Sequence, residues 1–311
     1  MSAGGKVFAV LGPTAAGKTA VGIRLAQTLD GEIVSVDSRQ IYRELDIGTA
    51  KPTAAERAAA RHHLIDVVSP AQKYSAALFQ KEADAAIAEI RSRGKLPILV
   101  GGAGLYYRAL VDGLFEGPSA DTEARRRLEA EADARGNERL MERLYKVDRE
   151  AAERIHPNDR MRLIRALEVY ELTGRPISEL RREWRGKPPR YEASAVALRR
   201  PREQLNRRIN ARVKRMLADG LLEETQALRA TYARSDPAFN GFGYAELWDY
   251  LDGKHTFEKA LELLKRNTRR YAKRQMTWFR ADLRIQWIDL SEDASAESAA
   301  EAALAVRRRA L

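Results

Sequence analysis

The sequence has no cysteine, only four histidines, and no apolar stretch near the ~20 residues that a helix needs to span a bilayer. Without cysteine there can be no disulfide, no thiolate zinc site and no cysteine nucleophile, so any metal must be held by oxygen. The histidines lack acidic partners at metal-ligand spacing, and we expect packing roles for His62, His63, His156 and His255. Neither a membrane protein nor a disulfide-stabilised scaffold is expected.

The N-terminus also lacks the parts of a secretory signal, since residues 1–6 lead directly into an apolar run without a basic segment or a cleavage site. We therefore expect a cytoplasmic protein. The 311 residues, 44% hydrophobic and 32% charged, are typical of a globular enzyme with a buried core. The net charge of +11 favours a polyanionic partner, although basic balance alone does not separate nucleic-acid binding from ordinary solubility.

Apolar runs alternate with helical spacing in the first part of the chain, which predicts an α/β fold with a parallel sheet. The predicted strands are residues 6–11, 32–37, 63–68 and 96–100, and the predicted helices are residues 19–29 and 75–93. The core is expected to be completed after an insertion, by a strand at 194–198, helices at 202–218, 221–232, 243–252 and 256–282, and an edge strand at 285–288.

The expected domain organisation has four parts. Residues 1–117 begin the α/β core, and residues 118–193, rich in charged helical segments broken by glycine and proline, form an inserted all-helical subdomain. Residues 194–290 complete the core and add a helical C-terminal part with basic helices. The tail, residues 291–311, is rich in alanine and charge, and we expect a loosely attached helix or disorder.

The strongest motif follows the first strand and fits the P-loop pattern G-x-x-x-x-G-K-[ST]. Its glycines let successive backbone N–H groups point inward, and the next helix adds its positive dipole end, so the loop is expected to hold a diphosphate. Lys18 would neutralise the terminal phosphate, and the Thr19 hydroxyl would complete the shell of a Mg²⁺ ion. The predicted cradle consists of Gly12, Pro13, Thr14, Ala15, Ala16, Gly17, Lys18 and Thr19.

The loop alone does not choose among kinases, NTPases and transferases, and the sequence has no N-K-x-D motif of a GTPase. Asp37 ends the second strand, at the edge where parallel sheets bind ligands. Its carboxylate either lies beside the cradle as a catalytic group, or it only caps a helix or holds the water shell of the magnesium ion. A second glycine-rich turn, Gly101–Tyr106, follows a strand on the same edge and either faces the ligand or is only a tight turn. Arg208 and Arg212, four residues apart on one predicted helix, are candidates to reach the diphosphate.

These motifs, together with others along nearly the whole chain, resemble the tRNA isopentenyltransferase family, whose members are tRNA dimethylallyltransferases built on a P-loop NTPase-like core. The resemblance is carried by Gly12–Thr19, Asp37–Arg43, Asp46–Pro52, His62–Asp66, Gly101–Tyr106, His156–Asp159, Arg165–Tyr170, Gly243 with Tyr244, Tyr271–Gln275 and Thr277–Phe279.

The resemblance implies transfer of a dimethylallyl group from dimethylallyl diphosphate to the exocyclic amine of the adenosine 3′ of a tRNA anticodon. An allylic diphosphate ionises readily, so the enzyme stabilises the departing diphosphate and aims the acceptor. Asp37 is the expected base, with Lys18 and Thr19 as the other catalytic residues. Ala103 stands where the family usually has threonine, and Arg39 where methionine is common, so Ala103 is carried over as a position only.

Contacts to the anticodon stem-loop are expected from three regions. The resemblance gives a first set at the core and in the insertion: Asp37, Ser38, Arg39, Gln40, Ala103, Arg125, Met161, Arg162, Leu163, Ile164 and Arg165. The acid-free basic run at 265–274 predicts phosphate contacts from Arg270 and Arg274. Tyr244 and Trp278 are either core residues or stacking partners for splayed bases.

We expect a monomer that works with Mg²⁺, dimethylallyl diphosphate and tRNA. Two rival hypotheses use the same loop. A small-molecule or nucleoside kinase would leave the basic C-terminal helix without a polyanion, and an RNA-binding protein with a nucleotide switch would leave Asp37 idle.

Overall fold

The computed structural model describes residues 5–114, 117–118, 121–185, 187–239, 241 and 243–309. The chain forms two compact units. One comprises Met1–Gly113 with Arg190–Leu311, and the other is Leu114–Pro189.

The first unit is built on a parallel sheet, as predicted. Its strands within the described ranges are β1 (Lys6–Leu11), β2 (Gly31–Val36), β3 (His62–His63), β4 (Leu96–Gly101), β5 (Glu192–Arg199) and β6 (Ile285–Asp289). They lie in the order β3-β2-β4-β1-β5-β6, and each pair is parallel. Because helices cover both faces, β1 is buried from Val7 to Leu11, which explains why it reads as one continuous apolar run.

The helices of the first unit are α1 (Lys18–Thr28), α2 (Ala54–Ala59), α3 (Ala76–Ser92), α4 (Gly104–Val111), α9 (Arg202–Ala218), α10 (Leu221–Thr231), α11 (Tyr244–Leu251), α12 (Phe257–Arg280) and α13 (Ala296–Arg309). Helix α3 shows why the sequence folds this way. The Ser75 hydroxyl caps its first turn by accepting from the Leu78 N–H (3.1 Å), and its apolar residues at three- and four-residue spacing bury Phe79, Ile87 and Ile90 against the sheet. It ends just before Gly94, whose φ of 72° suits glycine.

The second unit is helical and has its own core. It contains α5 (Thr122–Val147), α6 (Arg149–Arg154), α7 (Arg160–Thr173) and α8 (Ile177–Arg185). Gly136, with φ 78°, kinks α5, and side-chain caps from Asp121, Asp148 and Asp159 begin the first three helices. The apolar faces of these helices meet in a cluster that includes Leu128, Leu140, Leu144, Leu163 and Leu167.

Two sequence expectations are wrong. The strand expected at 63–68 stops at His63, because Leu64 and Asp66 both take φ 61°, a left-handed conformation that ends an extended strand. The tail was expected to be a loosely attached helix or disordered, but its helix α13 is firmly packed. It lies on the sheet and buries Ala299, Ala300 and Ala303 beside α1 residues. Among the helices described, none is long and apolar enough to cross a membrane.

Candidate functional site

A cavity of about 1250 Å³ opens in the first unit at the carboxyl ends of β1, β2 and β4. This edge of a parallel sheet is where ligands of such folds bind. The residues that line the cavity include Thr14, Ala15, Gly17, Lys18, Thr19, Asp37, Arg39, Gln40, Arg208, Arg212, Tyr271 and Gln275. The structure therefore brings the P-loop, the end of β2 and two arginines of α9 to one site.

The P-loop has the backbone that its glycines predict. Gly12 takes φ 141°, and a Cβ there would lie 2.9 Å from the Leu198 carbonyl oxygen, so a larger residue would displace β5. Gly17 takes φ 108° and begins α1 without a side-chain cap, which leaves the N–H groups of the first turn available to an anion.

Lys18 points back across the loop, and its ammonium donates to the Pro13 carbonyl (2.8 Å). Burial is the main cause that lowers the pKa of Lys18 to about 8; the carboxylate of Asp37 opposes this shift, and the charge of Arg212 adds a smaller contribution in the same direction as burial. Because the buried ammonium has lost its hydration, an anion that enters the loop stabilises it strongly.

Two arginines of α9 reach the same loop from the other side. Arg208 Nε donates to the Ala15 carbonyl (2.8 Å), and Arg212 Nη1 donates to the Thr14 hydroxyl (3.3 Å). Burial lowers the pKa of Arg212, as do the neighbouring charges of Arg208 and Arg215. Three cations therefore converge on residues 13–15, which is a strongly anion-attracting arrangement.

Two further residues hold the loop, and neither is among the residues predicted from the sequence. Arg200 is buried at the end of β5, with its Nε donating to the Ala16 carbonyl (3.1 Å) and its Nη1 to the Ser291 carbonyl (2.8 Å). Gln275 of α12 accepts from the Thr14 N–H (2.8 Å). Their partners lie far away in sequence, so no local pattern could have identified Arg200; Gln275 was visible only as part of a motif block.

Asp37 follows β2 directly, and its Oδ1 accepts from the N–H groups of Arg39 (2.8 Å) and Gln40 (3.3 Å). This turn fixes the carboxylate at the cavity wall. The second glycine-rich turn lies against the same strand end, because a Cβ at Gly101 would be 1.9 Å from the Val36 carbonyl oxygen. Ala103 donates its N–H to that oxygen (3.0 Å) and begins α4 with a partly buried side chain.

The residues after Asp37 connect it to neighbouring loops. Arg39 Nη1 donates to the Ala238 carbonyl (2.9 Å), and Gln40 Nε2 donates to the Ala50 carbonyl (3.0 Å). Burial raises the pKa of the Tyr271 phenol to about 12, although a hydrogen bond with the Ser38 hydroxyl opposes this shift. Tyr271 therefore remains a neutral hydrogen-bonding group at physiological pH.

Of the two alternatives that the sequence leaves open for Tyr244, the structure favours the core. It is 3% exposed, its hydroxyl donates to Glu224 Oε1 (2.6 Å) and accepts from the Gly48 N–H (3.1 Å), and its ring packs edge-on against Phe239. Trp278 is 36% exposed and lies 5.6 Å from the guanidinium of Arg108.

Helix α12 carries an exposed basic surface. Arg270, Lys273 and Arg274 are exposed, and the Arg274 guanidinium lies 5.8 Å from the Tyr271 ring. Within the described part of the chain, Arg270 and Lys273 have no acidic partner. The opposite face of the helix buries Thr268, Ala272, Gln275 and Phe279, so one helix joins the cavity to an outward-facing cationic surface.

In the second unit the predicted contact residues divide into exposed and buried ones. Met161 is 84% exposed and Arg162 is exposed, whereas the side chains of Leu163 and Ile164 lie in the helical core. Any contact from Leu163 or Ile164 would have to use backbone atoms.

Arg125 and Arg165 converge on Glu168, whose carboxylate is 0% exposed. Arg125 binds it through two nitrogens (2.9 and 3.1 Å), and Arg165 adds a third bond (2.7 Å). Burial alone would raise the pKa of Glu168, but these hydrogen bonds outweigh it and lower the pKa.

No group of three or more histidine, aspartate or glutamate side chains suited to a metal occurs among the residues the structure describes. The oxygen donors that line the cavity include the Thr19 hydroxyl at the P-loop and the Asp37 carboxylate. Hard donors of this kind suit a divalent cation that takes its remaining ligands from substrate phosphates and water.

Comparison with known proteins agrees with this geometry. The family model described as IPP transferase matches residues 40–282. The chain is 50% identical over 288 residues to tRNA dimethylallyltransferase 2 of Geotalea uraniireducens, covering 92% of this chain and 93% of the relative. It is 47% identical to tRNA dimethylallyltransferase of Carboxydothermus hydrogenoformans, with 93% of each covered.

Solved structures give the same result. The crystal structure of a tRNA isopentenylpyrophosphate transferase from Bacillus halodurans superposes with a TM-score of 0.73 at 42% identity, covering 98% of this chain and 96% of that one. A eukaryotic dimethylallyltransferase captured acting on tRNA superposes with a TM-score of 0.76 at 29% identity, covering 91% of this chain and 73% of that one.

Proposed function

The chain belongs to the IPP transferase family, and on that premise we propose that it transfers a dimethylallyl group from dimethylallyl diphosphate to tRNA. The acceptor is the exocyclic amine of the adenosine 3′ of the anticodon, and the products are N6-dimethylallyladenosine and diphosphate. The observation that carries the proposal is the convergence of Lys18, Arg208 and Arg212 on the P-loop beside Asp37.

The P-loop and its cations serve the leaving group. As the allylic C–O bond breaks, negative charge develops on the diphosphate, and preorganised donors that face it lower the barrier most. Lys18, the α9 arginines and the first turn of α1 supply these donors, so the diphosphate departs without having to recruit water.

Asp37 serves the nucleophile. One carboxylate oxygen is held by two backbone N–H groups, which orients the other to accept the proton that the amine loses as the new C–N bond forms. A positioned base of this kind typically contributes ~10²–10⁴-fold to the rate. The flipped adenosine would enter beside the turn at 37–40, where Ser38, Arg39, Gln40 and Ala103 are proposed to contact it.

Mg²⁺ is the proposed metal, with Thr19 as its protein ligand. The ion would supply additional neutralisation of the diphosphate oxygens. Thr19 is the second residue of α1 and lines the cavity, which suits it to this task.

The proposed tRNA grip combines two surfaces. Arg270 and Arg274 of α12 contact backbone phosphates, and in the second unit Met161 and Arg162 contact the anticodon arm, with Leu163 and Ile164 restricted to their backbone. Arg125 and Arg165 add weaker contacts to the same arm, because their charge is already paired with Glu168. A monomer can present both surfaces, and a tRNA substrate fits the cytoplasm. Phosphoryl transfer, the alternative that a P-loop allows, is not favoured, because the relatives are named for dimethylallyl transfer.

The direct test is single-turnover transfer of labelled dimethylallyl groups to unmodified tRNA, with wild type and Asp37→Asn in parallel. Asparagine keeps the oxygen that accepts from Arg39 and Gln40 but is not a base. We expect label in tRNA from the wild type and a rate ~10²–10⁴-fold lower in the variant, with tRNA still bound. Phosphoryl transfer from ATP without any prenyl transfer would instead establish the kinase.

A further inference from the structure

Gln275 occupies an unusual place in the core. It is 5% exposed, it lies on the inner face of α12, and its carboxamide connects two turns that are far apart in sequence. Its Oε1 accepts from the Thr14 N–H of the P-loop (2.8 Å), and its Nε2 donates to the Gly102 carbonyl of the second glycine-rich turn (2.9 Å).

The surrounding backbone is shaped around this amide. A Cβ at Gly102 would lie 2.2 Å from Gln275 Nε2, so glycine at 102 leaves the room that the carboxamide needs. Only a side chain with both an acceptor and a donor at its end can satisfy the two backbone groups at once. Because the bond to Gly102 is buried and the bond to Thr14 is partly buried, losing either would leave a polar atom with little access to another partner.

The bond to Thr14 bears directly on the diphosphate site. Thr14 is also held through its hydroxyl by Arg212, and the preceding residue, Pro13, accepts from the ammonium of Lys18. Gln275 thus fixes the peptide N–H of Thr14, close to where these two cations bind the loop. A small shift of this segment would move both cations relative to a bound diphosphate, and misplacements of about 1 Å can cost about 10²-fold in rate.

We propose that Gln275 is a positioning residue that sets the P-loop for the prenyl donor by joining it to the turn at Gly102. This inference rests on the proposed function. Because Gln275 belongs to the helix whose outer face presents Arg270 and Lys273, the same helix that offers the cationic surface also determines the geometry of the diphosphate loop.

The test compares Gln275→Glu and Gln275→Leu with the wild type. An ionised glutamate can still accept from Thr14, but its second oxygen faces the Gly102 carbonyl and repels it. At lower pH the protonated acid can donate to that carbonyl and restore both bonds, whereas leucine can make neither bond at any pH. Gln226→Glu, an exposed change on α10, is the control for the added charge.

We expect Gln275→Glu to lower kcat/KM for dimethylallyl diphosphate by about 10²-fold relative to the wild type at pH 8 and by only about 10-fold at pH 6. Gln275→Leu should lose about 10²-fold at both pH values, and tRNA affinity should stay unchanged in both variants. The titratable groups that line the same cavity as Gln275, among them Lys18, Asp37 and Tyr271, are common to all the enzymes, so their own titration is compared at equal pH in the ratio to wild type. Melting curves at each pH identify any variant that fails to fold.

Wild-type activity in Gln275→Leu, or the same fractional loss in Gln275→Glu at both pH values, would overturn the proposal. Failure of the wild type to transfer label would instead overturn the proposed function. In that case calorimetric binding of inorganic diphosphate still tests the positioning role: weaker binding by Gln275→Leu than by wild type supports it, and equal binding refutes it.

Discussion

Arginines near the P-loop and on α12 of the first unit differ in their partners from two arginines of the second unit. On α9, Arg208 and Arg212 donate to neutral oxygens of the P-loop, and on α12, Arg270 has no acidic partner among the described residues. In the second unit, by contrast, Arg125 and Arg165 both form ion pairs with the buried carboxylate of Glu168.

This difference shows that the number of arginines in a region says little about anion binding. An arginine whose charge is already neutralised by a buried carboxylate contributes chiefly to folding, because breaking such a pair leaves an uncompensated charge. An arginine beside neutral carbonyls retains its charge for a ligand. The predictions below test this division, beginning with the largest expected effect.

Replacing Arg208 with alanine should lower kcat/KM for dimethylallyl diphosphate by ~10²–10³-fold, because it removes a preorganised cation from the departing diphosphate. Steady-state kinetics at saturating tRNA measure this loss. Arg207→Ala is the matched control, since Arg207 is the next residue on α9 but pairs with Glu292 at the surface. Equal activity of the two variants would show that the α9 arginines are not part of the diphosphate site.

Replacing Arg125 with alanine should lower the free energy of unfolding by about 2 kcal/mol, because Glu168 keeps only part of its hydrogen bonding. Urea unfolding measures the change. Arg126→Ala removes an exposed i,i+3 pair with Glu123 and should cost less than about 0.5 kcal/mol. If Arg125→Ala kept full stability but bound tRNA far more weakly, the division between the two units would be broken.

Local sequence information predicted the parts of the site whose causes are local. The P-loop, Asp37 and the strand ends follow from apolar runs and glycines within a few residues. Arg200 was missed because it bonds across 184 residues, and the choice between core and stacking for Tyr244 stayed open because the glutamate that holds its hydroxyl, Glu224, lies on another helix. The tail was misjudged because alanine's small side chain gives only a weak periodic signal, although three alanines of α13 are buried by packing on α1.

Replacing both Arg270 and Arg274 with alanine should weaken tRNA binding by about 10-fold. The slope of the logarithm of the binding constant against the logarithm of the salt concentration should become shallower by about one to two, because fewer counterions are released. Filter binding across a salt series measures both quantities. Arg308→Ala with Arg309→Ala removes the same charge from the exposed end of α13 and is the control. An equal loss in both double variants would mean that α12 acts only through net charge.

The lowered pKa of Lys18 predicts the smallest effect at neutral pH. With a pKa of about 8, half of the free enzyme has lost this cation at pH 8, so kcat/KM for the donor should be halved there and fall up to tenfold per pH unit above it. A pH profile of kcat/KM measures this limb, and Lys18→Met should lack it as well as most of the activity.

The same shift has a consequence for stability whose sign is opposite to that for activity. The folded pKa lies below the ordinary lysine value of 10.5, so between pH 8 and 10.5 the unfolded chain holds a proton that the folded chain has released, and stability rises with pH in that window. Below pH 8 the buried ammonium destabilises the fold, and Lys18→Met should therefore melt at a higher temperature than the wild type at pH 7. A lower melting temperature for that variant would show that the contact with Pro13 outweighs desolvation and that the cation stabilises its own loop before any diphosphate arrives.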